Sequence, residues 1–282
     1  MILYNGQFVE REEVSIDIED RGYQFGDGVY EVIRVYQGQC FAMKEHLDRL
    51  ERSSKEIKLD CPISRMKLED NINQLIKKDR LTNGIVYLQI TRGAAKRTHQ
   101  FPEHAKSVLT AYTSEMERPL ANLQNGINTK LVDDFRWLRC DIKSLNLLGN
   151  VLAKQEAQEN QCYEAILHRQ GTVTEGSSSN VFIVKNGKLY THPANNFILN
   201  GITRQYVLRF AKEEHFEVIE NTFSTEELLK ADEVFITSTT SEISPVVKID
   251  DQIIGEGRPG IVTAALQKKF EEEINKLVSH VS

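Results

Sequence analysis

Lys143 stands in the run Cys140-Asp141-Ile142-Lys143-Ser144-Leu145, with apolar neighbours and an expected helix just beyond it. A lysine in an apolar setting loses part of its preference for the charged form, and a neutral amine attacks an aldehyde to give a Schiff base. Glu175 closes an expected strand and opens Gly176-Ser177-Ser178-Ser179, where a carboxylate could point into a cleft while the loop donates hydrogen bonds. Against a pyridine aldehyde, such a carboxylate would keep the ring nitrogen protonated and make the ring an electron sink. Gly201-Ile202-Thr203-Arg204 opens a helix, so its backbone N–H groups and the threonine hydroxyl form an anion site. Ser238-Thr239-Thr240, after a strand, offers further donors, and Arg49 could add a planar, fixed positive charge suited to phosphate. Arg97-Thr98-His99 follows the small Gly93-Ala94-Ala95 and suggests a loop able to trap a carboxylate.

Each part has a plain counterpart: a solvated lysine, a strand-end glutamate, an ordinary N-cap at Thr203, a polar loop at 238–240, a surface Arg49, a basic loop at 97–99. Order and spacing are what single them out, above all the stretch from Glu175 through Leu199 to Arg204. Other chemistries have little support. No pair of the seven histidines makes a His-Glu-x-x-His helix, and Gly-Ser-Ser-Ser-Asn does not match the Gly-x-Ser-x-Gly turn of serine hydrolases.

The elements that must position these residues follow from punctuation and period. Asn5-Gly6, Gln37-Gly38, Gln170-Gly171 and Asn186-Gly187 read as hairpin turns. Strands are expected at 29–36, 40–43, 85–92, 107–113, 127–133, 163–168, 172–175, 180–185, 188–191 and 233–237. Helices are expected at 45–58, 64–78, 145–159, 203–214 and 260–278, the last with Val262, Leu266, Phe270, Ile274 and Leu277 on one stripe, and Ser224 with Glu227 marks a short capped helix. Strands and helices mix without regular βαβ alternation, which favours α+β halves. At 282 residues two domains are expected, 1–118 and 127–282, joined by a linker at 119–126 where the period fades.

Composition narrows the partners. The 35 basic and 41 acidic residues give a formal charge of −6, which argues against nucleic acid. No segment reaches the roughly 18 consecutive apolar residues of a membrane span, and the start lacks a charged and then apolar leader, so no membrane association and a cytoplasmic location are expected. Cys40, Cys61, Cys140 and Cys162 show no metal or redox spacing and read as buried free thiols.

With these residues in hand, the chain resembles the class IV (fold type IV) pyridoxal-phosphate aminotransferases, through Glu175 to Phe182, Thr191, Leu199 to Arg204, Asp20 to Glu31 and Phe235 to Thr240. Within them Arg97-Thr98-His99 and Trp137 to Asn146 are similar to the bacterial D-amino acid aminotransferases. The resemblance implies a two-domain architecture with the cofactor in the interdomain cleft, and transfer of an amino group from D-alanine and other D-amino acids to 2-oxoglutarate, giving pyruvate and D-glutamate. It implies pyridoxal 5′-phosphate as a Schiff base on Lys143, with Glu175 at the ring nitrogen and Leu199 behind the ring. Arg49, Ile202, Thr203, Ser238 and Thr239 would hold the phosphate, and Tyr30, Arg97 and His99 the substrate carboxylate. A homodimer is also implied, with Arg97 and His99 reaching in from the partner subunit. Rival reactions on the same scaffold are branched-chain L-amino acid transamination and aminodeoxychorismate lysis, against which Arg97-x-His99 speaks; a non-catalytic cofactor-binding protein is the third alternative.

Overall fold

The structure is a computed structural model that describes Met1–Ser279. It divides into two compact units: Met1–Glu117 with Ile142–Asn146 and Leu277–Ser279, and Arg118–Asp141 with Leu147–Lys276. The segment Ile142–Asn146, expected with the second domain, groups with the first unit, and the expected linker contains a short helix.

The first unit runs β1 (Ile2–Tyr4), β2 (Gln7–Val9), α1 (Arg21–Phe25), β3 (Gly28–Tyr36), β4 (Gln39–Cys40), α2 (Met43–Glu56), α3 (Arg65–Asp79), β5 (Gly84–Thr91) and β6 (Val108–Glu115). Its strands make one sheet in the order β2-β1-β6-β5-β3-β4. Along β3 the residues Val29, Glu31, Ile33 and Val35 are fully buried, the alternation of a strand with one face on a core. That core joins Val29, Ile33 and Val35 to Leu47 and Leu50 of α2 and to Leu68, Ile72 and Leu75 of α3.

The second unit runs α4 (Leu120–Asn125), β7 (Ile127–Asp133), α5 (Leu148–Glu159), β8 (Glu164–Arg169), β9 (Thr172–Gly176), β10 (Asn180–Lys185), β11 (Lys188–Thr191), α6 (Ile202–Glu213), β12 (Val218–Glu220), α7 (Thr225–Leu229), β13 (Glu233–Ser238), β14 (Glu242–Ile249), β15 (Gln252–Ile253) and α8 (Ile261–Ser279). The strands order as β12-β11-β10-β13-β14-β7-β8-β9, with β15 beside β14. The mixed α+β class is as expected.

All four expected hairpin turns carry two successive positive φ angles, at Asn5-Gly6, Gln37-Gly38, Gln170-Gly171 and Asn186-Gly187. Such turns match the right-handed twist of the strands they join. Three expectations need correction. Strand β14 went unread because Pro245 interrupts it, and the strand tolerates the proline because its pairing with β7 begins only at Val246. The last helix buries Thr263, Leu266, Phe270 and Ile274, one step off the expected stripe at its start. The four cysteines are free, but only Cys140 is buried; Cys40, Cys61 and Cys162 lie at a strand edge and in connections, where packing is incomplete. Among the described residues, no helix is long and apolar enough to cross a membrane.

Candidate active site

In the first unit, Lys143 is fixed by its backbone. Tyr30 N–H donates to the Lys143 carbonyl at 3.0 Å, Leu145 N–H donates to the Gly28 carbonyl at 3.0 Å, and Lys143 N–H donates to Ser53 Oγ at 3.2 Å. A Cβ on Gly28 would lie 2.5 Å from the Ile90 carbonyl oxygen and 2.7 Å from a Leu145 methyl, so the close approach requires glycine. The half-buried lysine side chain lies with Nζ 4.2 Å from the centre of the Tyr30 ring, which stacks in turn on Tyr87.

Four residues before Ser53 on α2 is Arg49, which is buried and paired. Its Nε and Nη2 donate to the two oxygens of Glu31 at 2.7 and 2.8 Å, and His46 Nδ1 lies 2.8 Å from the same carboxylate. Burial pushes the Glu31 carboxyl up, but Arg49 and His46 more than reverse this and hold it well below the usual carboxylate range. Burial, with the nearby charges of Arg49 and Lys143, holds His46 below its ordinary value against the pull of Glu31. The surface alternative for Arg49 is excluded. Glu31 and His46 were not singled out from the sequence, although Glu31 sits in phase with Val29, Ile33 and Val35, where a charge demands a partner.

Arg97 and His99 are exposed, in the long connection between β5 and β6. The Arg97 guanidinium lies 4.9 Å from the centre of the Phe25 ring, and the His99 ring meets Phe25 edge-on at 5.9 Å.

In the second unit, Glu175 is the next-to-last residue of β9 and is buried. Its Oε2 accepts Leu199 N–H at 3.0 Å and Asn180 Nδ2 at 3.0 Å; its Oε1 accepts Arg136 Nη1 at 2.6 Å. Asn180 Nδ2 also donates to the Leu199 carbonyl at 2.8 Å, which ties the acid to the turn before α6. Burial raises the Glu175 carboxyl above its ordinary value, although Arg136 and the Leu199 N–H pull it back. Arg136 is itself gripped by Asp134, through Nε and Nη2 at 2.9 Å each. Arg169 and Thr174 also donate to Asp134, whose carboxyl is lowered to about 2: burial opposes this shift, and the bond from Arg136 is the chief cause of it. Arg136 was missed because the loop carrying it has no period that a sequence reading can use.

Helix α6 starts at Ile202 behind Gly201, and no side chain caps it. An added Cβ on Gly201 would lie 2.2 Å from Asn180 Oδ1. Ile202 and Thr203 are buried, and Arg204 braces the helix start by donating to the His192 carbonyl at 2.9 Å and to Glu220 at 2.7 Å. Ser238 ends β13, its Oγ accepting Ser241 N–H at 2.9 Å, and Thr239 follows in the turn. Among the described residues, the buried Thr237 hydroxyl beside them has no hydrogen-bond partner. The hydroxyls of the 177–179 loop, expected to serve a ligand, all donate to the buried Glu164, from Ser177, from Ser178 at 2.7 Å and from Ser179 at 3.3 Å.

A buried acid made more basic by its burial, an uncapped helix start and an orphan hydroxyl together fit a phosphorylated base. The comparisons with known proteins agree. Residues 28–249 match the family described as Amino-transferase class IV. A D-alanine aminotransferase of Staphylococcus haemolyticus is 49% identical over 274 residues, covering 97% of this chain and 97% of that protein. The branched-chain amino acid aminotransferase of Escherichia coli superposes with a TM-score of 0.92 at 30% identity, over 96% of this chain and 93% of that one. A second branched-chain enzyme, from T.th. and solved with pyridoxamine 5′-phosphate, does so with 0.90 at 28% identity, over 97% and 94%. The cofactor of this family is pyridoxal 5′-phosphate, and by both its sequence and its fold the chain belongs to the class IV aminotransferases.

Proposed function

We propose that this enzyme moves the amino group of D-alanine and other D-amino acids to 2-oxoglutarate, yielding pyruvate and D-glutamate. The observation that carries the choice of substrate is 49% identity over 97% of the chain to a D-alanine aminotransferase. The branched-chain enzymes share the fold at 28–30% identity, so fold alone does not select the substrate.

In this reading the Lys143 amine would hold the cofactor, Glu175 would bind its ring nitrogen and Leu199 would line the ring. Arg49, Ile202, Thr203, Ser238 and Thr239 hold the phosphate. Arg49 reaches that task already aligned by Glu31, and the uncapped start of α6 supplies N–H donors. When bound, the pyridine ring supplies the electron sink that Cα deprotonation needs. Glu175 suits the nitrogen because burial makes it a better proton acceptor than an exposed carboxylate. Lys143 Nζ would be the base that takes up the proton from substrate Cα. Tyr30, Arg97 and His99 hold the substrate carboxylate so that only one enantiomer directs its Cα hydrogen at Lys143.

A homodimer completes the site, with Arg97 and His99 serving the partner subunit. Their exposure supports this, as do Phe135, Leu148, Val151 and Leu152, large apolar side chains left in solvent on the second unit. The four free thiols suit the reducing cytoplasm.

Two assays test the reading. With 2-oxoglutarate as acceptor, D-alanine should turn over faster than L-leucine by about two orders of magnitude, the scale of a misplaced reacting atom. A preference for L-leucine moves the enzyme to the branched-chain group. Borohydride reduction followed by peptide mapping should find the cofactor on Lys143, and its appearance on another lysine would sink the site assignment.

A further inference from the structure

The connection from Arg92 to Ser107 has no helix or strand of its own, yet both ends of its functional stretch are gripped. At its base Arg21 N–H donates to the Gly93 carbonyl at 3.0 Å and Ala95 N–H to the Glu19 carbonyl at 3.3 Å. A Cβ on Gly93, at φ +84, would lie 1.9 Å from the Lys106 carbonyl oxygen, so the two ends of the loop are pinched together. Beyond the base the grip passes to one side chain. The buried Arg21 donates from Nη1 to the Thr98 carbonyl at 2.6 Å and from Nη2 to the His99 carbonyl at 3.4 Å. Its Nε donates to Asp27 at 2.8 Å, and the same carboxylate takes two donors from Arg92, at 2.8 and 2.9 Å. Arg92 is anchored on the Ile57 and Lys58 carbonyls, and its guanidinium lies 3.8 Å from the centre of the Phe101 ring. Phe25, one turn after Arg21 on α1, meets Arg97 and His99 directly and has the Arg21 guanidinium 4.8 Å from its ring centre.

We propose that Arg21 and Phe25 are positioning residues for the substrate-carboxylate trap: Arg21 fixes the backbone of residues 98–99, and Phe25 aims the Arg97 and His99 side chains. This rests on the reading of Arg97 and His99 as carboxylate ligands given above. A loop with no internal ladder holds two long or rotatable side chains in one geometry only if something outside it does so, and a fork of two N–H donors on consecutive carbonyls is such a device. Arg21 is therefore not interchangeable with lysine, which keeps the charge beside Asp27 but has one donor group where the fork has three.

The test uses the holoenzyme and two probes that capture the cofactor aldehyde and differ by a carboxylate, aminooxyacetate and methoxyamine. In Arg21→Lys and Phe25→Leu the capture rate should fall about tenfold for aminooxyacetate and stay level for methoxyamine, with KM for D-alanine raised about tenfold and kcat changed by less than about threefold. Equal loss with both probes, or no loss with either, would overturn the proposal. Arg97→Met separates the two levels. If it loses the preference for aminooxyacetate while both α1 variants keep theirs, the positioning role alone falls; if it keeps the preference, the carboxylate reading falls and the positioning role with it.

Discussion

Each unit of this enzyme buries a carboxylate against an arginine, and the two pairs are built differently. Glu31 receives two nitrogens of Arg49 and the ring of His46. Glu175 receives one nitrogen of Arg136, whose other donors are committed to Asp134. The first carboxyl is driven down and the second up, from the same ordinary value of 4.5. Burial alone raises a carboxyl; what decides the outcome is how many charged donors are left over to oppose it. The first pair is a brace that keeps Arg49, the proposed phosphate ligand, aligned. The second leaves a carboxylate made more basic by burial, as its proposed role at a ring nitrogen requires.

The brace should be the easier to break. In Glu31→Gln, Arg49 stays charged and buried without its counter-ion, since arginine does not give up its proton at any working pH. We expect a loss of about 3–5 kcal/mol in urea unfolding, the cost of stranding one member of a buried pair. Phosphate anchoring should fail with it, seen as weaker retention of cofactor on dialysis. An unchanged unfolding midpoint would mean that water reaches Arg49.

Arg136→Met tests the other pair and should cost less, about 2–3 kcal/mol, because a stranded carboxyl can neutralise itself by taking up a proton while a stranded guanidinium cannot. Asp134 keeps Arg169 and Thr174 in the variant, which limits the damage further. Carbon NMR of labelled glutamate carboxyls should show the Glu175 signal titrating at still higher pH than in the parent. A fall there would show that Arg136 does not set the charge of Glu175.

The contrast also marks what the sequence could and could not disclose. The four X-Gly turns were readable because a two-residue hairpin leaves few choices of residue, and the strands between them followed. Lys143, Glu175 and the start of α6 stood out by their order, which carried the family resemblance that the comparisons bear out. Glu31 left a trace, a charge in the buried phase of a strand, whose meaning appears only once His46 and Arg49 face it from α2. Arg136 left none, since its loop has no period, and while Asp134 is local, the site carboxylate it serves, Glu175, lies far along the chain. The serines of 177–179 misled for another reason: the Gln170-Gly171 hairpin does bring β8 beside them, but nothing in the spacing says that the buried Glu164 takes all three hydroxyls. Secondary structure depends on spacing within a segment, whereas the charge balance of a buried site depends on which segments meet.

The smallest effect, and the sharpest form of the contrast, is in pH. Glu31 has a folded value below its unfolded one, so its contribution to stability is present above pH 4.5 and is lost as pH falls from there. Glu175 has a folded value above its unfolded one, so its contribution is fully present below pH 4.5 and is lost as pH rises through the raised value. In the cofactor-free protein the two slopes should have opposite sign in adjoining windows, that of Glu31 below pH 4.5 and that of Glu175 above it. Below pH 4.5 the urea midpoint of the parent should therefore fall more steeply than that of Glu31→Gln, and the gap between them should close as Glu31 is protonated. In the carboxyl NMR titration the signal lost in Glu31→Gln should be one of those titrating below 4.5, while the Glu175 signal titrates above it. Two glutamates titrating together would mean that the single and double arginine contacts are electrostatically alike, and the division of labour drawn from their geometry would fail.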